Sequence, residues 1–134
     1  MVAARSEMIG YLERYYERLD AKDLEGLMEL LTPDCCYRIE TLRIDYKGRD
    51  GAIRDMFARL YQTYATVWHG NYRWVADSEA GAVACQLEVV NSEPGGASHR
   101  NHNSSFFSFR DGKIAFVSTY IGGETPKQLH RDLR

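Results

Sequence analysis

Four polar and aromatic residues in the last third of the sequence are spaced to share one face of a strand. Each lies two positions from the next, and they are Asn101, Asn103, Ser105 and Phe107. Successive side chains of a β-strand point to opposite faces, so these four point the same way. Polar residues that continue an apolar face indicate a core that opens into a pocket with hydrogen-bonding walls.

Two titratable side chains could move a proton in such a pocket. His69 begins a predicted strand, and its imidazole titrates near neutral pH, which suits a general acid or base. Glu40 is the carboxylate within the first predicted strand. The alternatives are a structural or surface His69, and a solvated Glu40 that pairs with Arg38 or Arg43.

Other catalytic patterns are missing from the sequence. It contains no phosphate-binding glycine loop, no nucleophile elbow and no clustered cysteine or histidine ligands. His99 and His102 are three apart on a predicted strand, so their side chains point to opposite faces and cannot share one metal ion. We therefore predict no metal and no cofactor, which leaves acid–base chemistry by side chains alone.

Three helices followed by a long antiparallel meander would position these residues. Apolar residues at three- and four-residue steps predict helices over residues 6–19, 24–31 and 53–64. Asp23 stands at the N-cap of the second helix, and Asp111-Gly112 is a hairpin turn signal. Strands are predicted over residues 35–44, 66–76, 83–89, 98–110 and 113–121.

The predicted strand that contains His69 has two possible inner faces. One set of alternate residues is aromatic and consists of Trp68, Tyr72 and Trp74. The other set is Val67, His69, Asn71, Arg73 and Val75. We expect the His69 set to face the pocket and the aromatic row to lie on the outer face, where it would form the interface of a homodimer.

Length and composition limit the classes of protein to which the chain can belong. Its 134 residues suit one domain over 1–134, and 44% hydrophobic with 27% charged residues is a globular mixture. A net charge of -2 without charged runs disfavours nucleic acid and membrane partners. The three cysteines form no disulfide framework, and residues 1–7 lack an apolar signal core, so a cytoplasmic protein is expected. The polar tail over 125–134 is expected to be mobile or an interface arm.

Two stretches resemble a known superfamily, and with the element order they cover nearly the whole chain. Residues 14–27, followed by 31–34 and 46–53, are similar to the N-terminal half of ketosteroid isomerases and SnoaL-like polyketide cyclases. Residues 105–114 resemble the last hairpin of the same superfamily, which includes nuclear transport factor 2. The resemblance implies a cone-shaped α+β barrel, with three N-terminal helices packed on a strongly curved, mainly antiparallel sheet.

The resemblance also implies roles for single residues. Tyr15 matches the tyrosine that donates a hydrogen bond to the substrate in ketosteroid isomerases, and Glu40 lies next to the position of the family's base. His69 lies near the catalytic histidine of scytalone dehydratases, whose pocket positions Asn101 and Asn103 also match. The pair Asn101-His102 is similar to phenazine-biosynthesis proteins, so the subfamily stays open. Ser105 stands where ketosteroid isomerases carry an aspartic acid, which disfavours simple steroid-isomerase chemistry.

These observations predict a cofactor-independent isomerase, dehydratase or cyclase that acts on a small, largely apolar, oxygenated ring compound, as in secondary metabolism. Glu40 or His69 would move the proton, and Tyr15 would assist as a hydrogen-bond donor. The predicted substrate-binding residues are Tyr16, Phe57, Tyr61, Asn101, Asn103, Ser105, Phe107 and Tyr120. The alternative from another class is a non-catalytic small-molecule-binding or dimeric assembly domain of the same fold.

Overall fold

A computed structural model describes residues 4–133 of the chain. Its helices are α1 (Arg5–Asp20), α2 (Leu24–Met28) and α3 (Arg54–Thr63). Its strands are β1 (Leu31–Ile39), β2 (Ile44–Lys47), β3 (Thr66–Asp77), β4 (Ala82–Ser92), β5 (Ser98–Arg110) and β6 (Lys113–Tyr120). Short helical turns lie at Glu40–Leu42, Gly48–Ile53 and Lys127–Asp132. None of the helices in the described range has the length and apolar character required to cross a bilayer.

The six strands form one curved sheet in the order β2-β1-β6-β5-β4-β3. Only β1 and β6 pair in parallel, and all other neighbours are antiparallel. Because β2 and β3 are the two edges and do not pair, the sheet stays unclosed. The predicted α+β fold, with helices packed on a mainly antiparallel curved sheet, is confirmed.

The core lies between the helices and the concave face of the sheet. Fully buried side chains from both layers meet there, and they include Leu12, Tyr15, Phe57, Phe107 and Ile114. Each contributes roughly 1.5–3 kcal/mol when its apolar surface leaves water, so this contact holds the helices on the sheet.

The predicted helix cap at Asp23 and the predicted hairpin turn at Asp111-Gly112 are both present in the structure. Asp23 Oδ1 accepts the Gly26 N–H at 3.0 Å, and Asp111 and Gly112 both take positive φ at the last hairpin.

The predicted strand over residues 35–44 is instead two strands joined by a tight turn. β1 ends at Ile39, the turn Glu40–Leu42 follows, and β2 pairs back on β1 with Ile39 opposite Ile44. The turn closes with Arg43 in the left-handed region at φ 56°. Glycine or asparagine usually takes that conformation, so an arginine there left no turn signal in the sequence. Glu40 therefore lies on a turn rather than within a strand.

The expected inner face of β3 is correct for Val67 and His69 but wrong beyond residue 70, because the strand contains a bulge. Its pairing with β4 shifts between Gly70 and Arg73, and Asn71 has φ 53°. One extra residue reverses the side-chain alternation beyond it. The inward set therefore combines members of both predicted sets, namely Val67, His69, Tyr72 and Trp74.

The C-terminal tail is packed against the rest of the chain, so the expectation of a mobile tail is wrong for residues 125–133, whereas its role as an interface arm stays a prediction. Gln128 and Leu129 are buried. Arg59 of α3 donates to the Gln128 carbonyl and pairs with Asp132 at 3.1 Å. The Tyr46 hydroxyl donates to Asp132 at 2.6 Å. An apolar side chain and a satisfied ion pair fasten the tail across the end of α3.

Candidate functional site

A small cavity lies between the concave sheet face, α3 and the tail. Its volume is about 70 Å³, and we call it the inner cavity. Its polar lining consists of Tyr37, His69, Asn91, Asn103, Thr119 and Gln128. Its apolar lining consists of Leu19, Ile39, Met56, Phe57, Leu60, Val89, Ile121, Pro126 and Leu129. His69 and Asn103, predicted separately, are thus brought to the same cavity.

His69 is held by a carboxylate that the sequence analysis did not single out. Nδ1 of His69 lies 2.6 Å from Asp20 Oδ1, and the backbone N–H of His69 donates to Asp20 Oδ2 at 2.9 Å. An acidic partner keeps the proton on Nδ1, so Nε2 is the ring nitrogen left for a ligand. A carboxylate, an oriented imidazole and a cavity are the parts that general acid–base catalysis requires.

The local structure explains why these two residues meet. Asp20 ends α1, which packs against β3, and His69 lies just before the β3 bulge. The Tyr16 ring lies 5.0 Å from the imidazole, and the Tyr72 hydroxyl donates to the His69 carbonyl at 3.0 Å. Asp20 therefore holds the edge of the imidazole, Tyr16 packs near its ring, and Tyr72 fixes the backbone of the same residue.

Hydroxyl and amide groups form the wall across from the helices. Asn103 Oδ1 accepts the Gly122 N–H at 3.3 Å, which leaves its Nδ2 as a donor toward the cavity. Thr119 and Ser105 share a hydroxyl hydrogen bond of 2.8 Å. Burial raises the pKa of Tyr37, although hydrogen bonding to Thr119 and Tyr15 opposes the rise. Tyr37 is therefore a neutral hydroxyl donor.

Several predicted residues lie beneath the cavity rather than on its wall. Tyr15, Tyr16, Ser105 and Phe107 are all buried, and the two tyrosine rings pack edge to face at 5.0 Å. Burial raises the pKa of both phenols well above the usual range. These side chains support the cavity wall, and Tyr15 also hydrogen-bonds to Tyr37, which lines the cavity.

A second, larger recess adjoins the inner cavity. Its volume is about 350 Å³, and we call it the outer cleft. Its lining consists of Tyr64, Asn91, His99, Asn101, Glu124, Thr125, Pro126, Lys127 and His130. Asn91 and Pro126 line both spaces, so the two adjoin at these residues. Asn101 therefore belongs to the outer cleft, whereas Asn103, two residues further along β5, belongs to the inner cavity.

Besides the four residues beneath the cavity, three more predicted site residues lie outside both spaces. The Glu40 carboxylate accepts from the Ser118 hydroxyl at 2.7 Å, next to Thr119, whose side chain points inward. Tyr120 is 59% exposed because strand alternation directs it away from the face of Thr119. The Tyr61 hydroxyl donates to the Leu19 carbonyl at 2.9 Å and does not reach the cavity. Phe57, in contrast, lines the inner cavity as expected.

The residues that sequence reasoning missed differ in the signal they carried. Asn91 continues the inward alternation of β4, so extending the predicted strand by two residues would have found it. Thr119 follows from the same rule on β6. Asp20 and Gln128 left no signal in the sequence, since they reach the site only through contacts with distant parts of the chain.

Between residues 4 and 133, no three His, Cys, Asp or Glu side chains converge as metal ligands would.

Comparisons with known proteins agree with this architecture. Residues 12–117 match the SnoaL-like domain, and no curated protein matches the sequence. A proposed polyketide cyclase from Xanthomonas campestris pv. campestris shares the fold with TM-score 0.77 and 22% identity, over 87% of this chain and 90% of that chain. The epoxide hydrolase/cyclase-like enzyme SalBIII, linked to pyran ring formation in the polyether salinomycin, has TM-score 0.77 and 17% identity, over 87% and 92% of the two chains. The match over most of its length places this chain in the SnoaL-like domain family.

Proposed function

We propose that the protein is a cofactor-independent acid–base enzyme that isomerises, dehydrates or cyclises a small oxygenated ring compound. One observation carries the proposal: His69, oriented by Asp20 at 2.6 Å, lines the same cavity as Asn103. This replaces the earlier choice between Glu40 and His69 as the base, since Glu40 does not line the cavity.

Each group would have a defined part in the proton transfer. His69 Nε2 takes a proton from a carbon next to a substrate carbonyl, and Asp20 stabilises the imidazolium that forms. The Asn103 amide and the Tyr37 hydroxyl donate hydrogen bonds to the oxyanion that develops. Return of the proton to another carbon completes an isomerisation, and its transfer to a leaving hydroxyl completes a dehydration. In a cyclisation, the deprotonated carbon attacks a second carbonyl of the substrate, and His69 returns the proton to the alkoxide that forms.

The family supports this class of reaction without naming the substrate. Structural neighbours are described as polyketide cyclases, as an isomerase from Bacillus subtilis and as an epoxide hydrolase/cyclase-like enzyme. These reactions have in common proton movement on oxygenated carbon skeletons, which an imidazole and neutral donors can perform unaided.

A second candidate, a non-catalytic binding domain, is favoured by the size of the inner cavity. Its volume of about 70 Å³ is roughly half that of a cavity known to hold benzene, about 150 Å³. A ring compound therefore fits only if the lining of the cavity moves outward. A domain that sequesters a ligand would tolerate such slow opening, whereas an enzyme must open on every turnover.

Proton exchange separates the two candidates without knowledge of the natural substrate. Cyclohexanone in D₂O exchanges the hydrogens next to its carbonyl when a base acts on it, and mass spectrometry follows the deuterium gained. We expect the wild-type protein to accelerate the exchange above the buffer rate and His69→Gln to lose at least about tenfold of that acceleration, in line with the usual contribution of a general base.

The matched control is His102→Gln, which removes an exposed imidazole on the outer face of the sheet. This variant should exchange at the wild-type rate. Exchange that persists in His69→Gln would exclude His69 as the base. No acceleration by the folded wild-type protein would favour the binding domain instead.

A further inference from the structure

Buried amide oxygens without hydrogen-bond partners are concentrated around the two adjoining spaces. Within residues 4–133, four buried side-chain oxygens lack a partner, and they belong to Thr32, Asn91, Asn101 and Gln128. The last three residues line the inner cavity, the outer cleft or both. A buried acceptor without a donor costs free energy, so three such oxygens in one region indicate a place where a ligand could donate hydrogen bonds to them.

Asn91 and Asn101 carry this signal most clearly. Both side chains line the outer cleft, and each residue is only 6% exposed. The Asn101 amide has a determined orientation, because its Nδ2 donates to the Glu124 carbonyl at 2.7 Å and leaves Oδ1 as the acceptor. Hydroxyl or amine groups are the donors that such an oxygen requires.

The charges around the outer cleft decide between these two donors. Glu93 pairs with Lys127 and with His99 Nε2, each at 2.6 Å, and Glu124 lies 3.2 Å from His99 Nδ1. The carboxylate of Glu93 raises the pKa of His99, with a smaller contribution from Glu124. Because both ring nitrogens of His99 lie next to carboxylates, the protonated imidazole satisfies both contacts. Glu93 and Glu124 therefore already have partners, and an ammonium group would have to compete for them.

We infer that the outer cleft binds a neutral, hydroxyl-bearing arm of the ligand, against the amide oxygens of Asn91 and Asn101. The inference rests on the proposed function, because it places the reacting end of the same ligand in the inner cavity beyond Asn91. Volume supports this division: about 350 Å³ is the size of a small-molecule pocket, whereas about 70 Å³ admits only the reacting edge of a ring unless its lining moves. The substrate is then less apolar than the sequence predicted.

Three probes that share one ring test the chemistry of the arm. They are 3-phenoxypropane-1,2-diol, its dimethyl ether, and 3-phenoxypropylamine, whose arm is an ammonium ion. Calorimetry gives the affinities, and amide NMR shifts locate the binding at Asn91 and Asn101. We expect the diol to bind about threefold to tenfold more tightly than the ether, the span of one net hydrogen bond, and more tightly than the amine.

The variant Asn91→Leu tests the site itself, with Gln86→Leu as its control. Gln86 lies on the same strand with its side chain exposed on the outer face. Because Asn91→Leu removes a buried oxygen without a partner, the empty variant should melt at or above the wild-type temperature. It should also lose the preference for the diol over the ether, whereas Gln86→Leu keeps that preference.

Equal binding of the diol and the ether to the wild type would overturn the inference, and so would tighter binding of the amine. A strongly destabilised Asn91→Leu that retains the diol preference would make Asn91 a structural residue and overturn its role in the cleft. Failure of the proposed function is seen separately, as diol-selective binding by a protein that does not accelerate ketone exchange.

Discussion

Two hydrogen bonds from one carboxylate decide what His69 can do. Asp20 accepts both the Nδ1 proton and the backbone N–H of His69, so side chain and strand are aligned together. An asparagine in its place would offer an N–H to Nδ1 and so select the tautomer that carries its proton on Nε2. That tautomer is a donor where the proposed reaction needs an acceptor.

We therefore expect Asp20→Asn to fold and to lose proton-exchange activity by at least about tenfold, approaching the loss seen when a general base is removed. The ketone exchange assay measures this, and circular dichroism confirms the fold. Asp45→Asn is the control, because Asp45 pairs with Arg38 on the surface. Full activity in Asp20→Asn would show that the carboxylate does not set the imidazole tautomer.

His99 makes stability depend on pH. Glu93 raises its pKa in the folded protein, as Glu124 does to a lesser degree. The folded pKa therefore exceeds the unfolded value of about 6.5, so the stabilisation is complete below that pH and is lost as pH rises through the folded pKa. Melting temperatures should fall over this interval in the wild type and much less in His99→Gln. His102→Gln should follow the wild type, and an unchanged slope in His99→Gln would contradict this assignment.

Among the elements, the bulge in β3 decides which residues face the site. It brings Tyr72 and Trp74 to the inner face beside His69, where Tyr72 and Tyr16 stack at 5.2 Å. Outside, the Trp68 ring lies over Gly70, where even one methyl group would overlap it. The bulge thus places Tyr72 in the aromatic cluster beside the imidazole, and on the outer face it leaves Gly70 covered by the Trp68 ring.

Asn71 is the residue of the bulge that takes the left-handed conformation, with φ 53°. We expect Asn71→Gly to leave stability nearly unchanged and Asn71→Val to lower the free energy of unfolding by about 1–2 kcal/mol, the cost of a left-handed conformation for an L-residue. Urea unfolding measures both. Arg73→Val is the control, since it adds valine to the same exposed face at ordinary strand geometry. Equal stability of the glycine and valine variants would rule out strain at this position.

For the whole molecule, the outer face of the sheet carries the large exposed apolar side chains that a partner would cover. Trp68, Val75, Phe106 and Tyr120 are each 43% exposed or more. The aromatic row expected there is reduced to Trp68, because the bulge turns Tyr72 and Trp74 inward, but Phe106 and Tyr120 add to it. A homodimer through this face stays a prediction.

Phe106→Glu should convert such a dimer into a monomer, since burying an unpaired carboxylate in the interface is costly. Sedimentation velocity at micromolar concentration measures the change, and Glu79→Gln, on the exposed turn after β3, serves as the control. A wild-type protein that sediments as a monomer at this concentration would contradict the prediction.

The sequence by itself determined most of the elements, though not the turn that separates β1 from β2, together with the order of helices and sheet and the inward face of β5. These depend on local information: the periodicity of apolar residues, the Asp23 cap, the Asp111-Gly112 turn and the alternation from Asn101 to Phe107. The SnoaL-like resemblance rested on the same local patterns and is confirmed.

Only the tertiary structure decided which side chains form the site. Asp20 and His69 are 49 positions apart and meet because α1 packs on β3. Arg43 rarely takes positive φ, so no local signal announced its turn. Gly70-Asn71 is a local signal compatible with a bulge, but only the pairing of β3 with β4 shows that the register shifts there. Gln128 reaches the inner cavity because distant groups on α3 and β2 hold the tail. Contacts between distant segments depend on how completed elements pack, and periodicity within any one segment does not encode that packing.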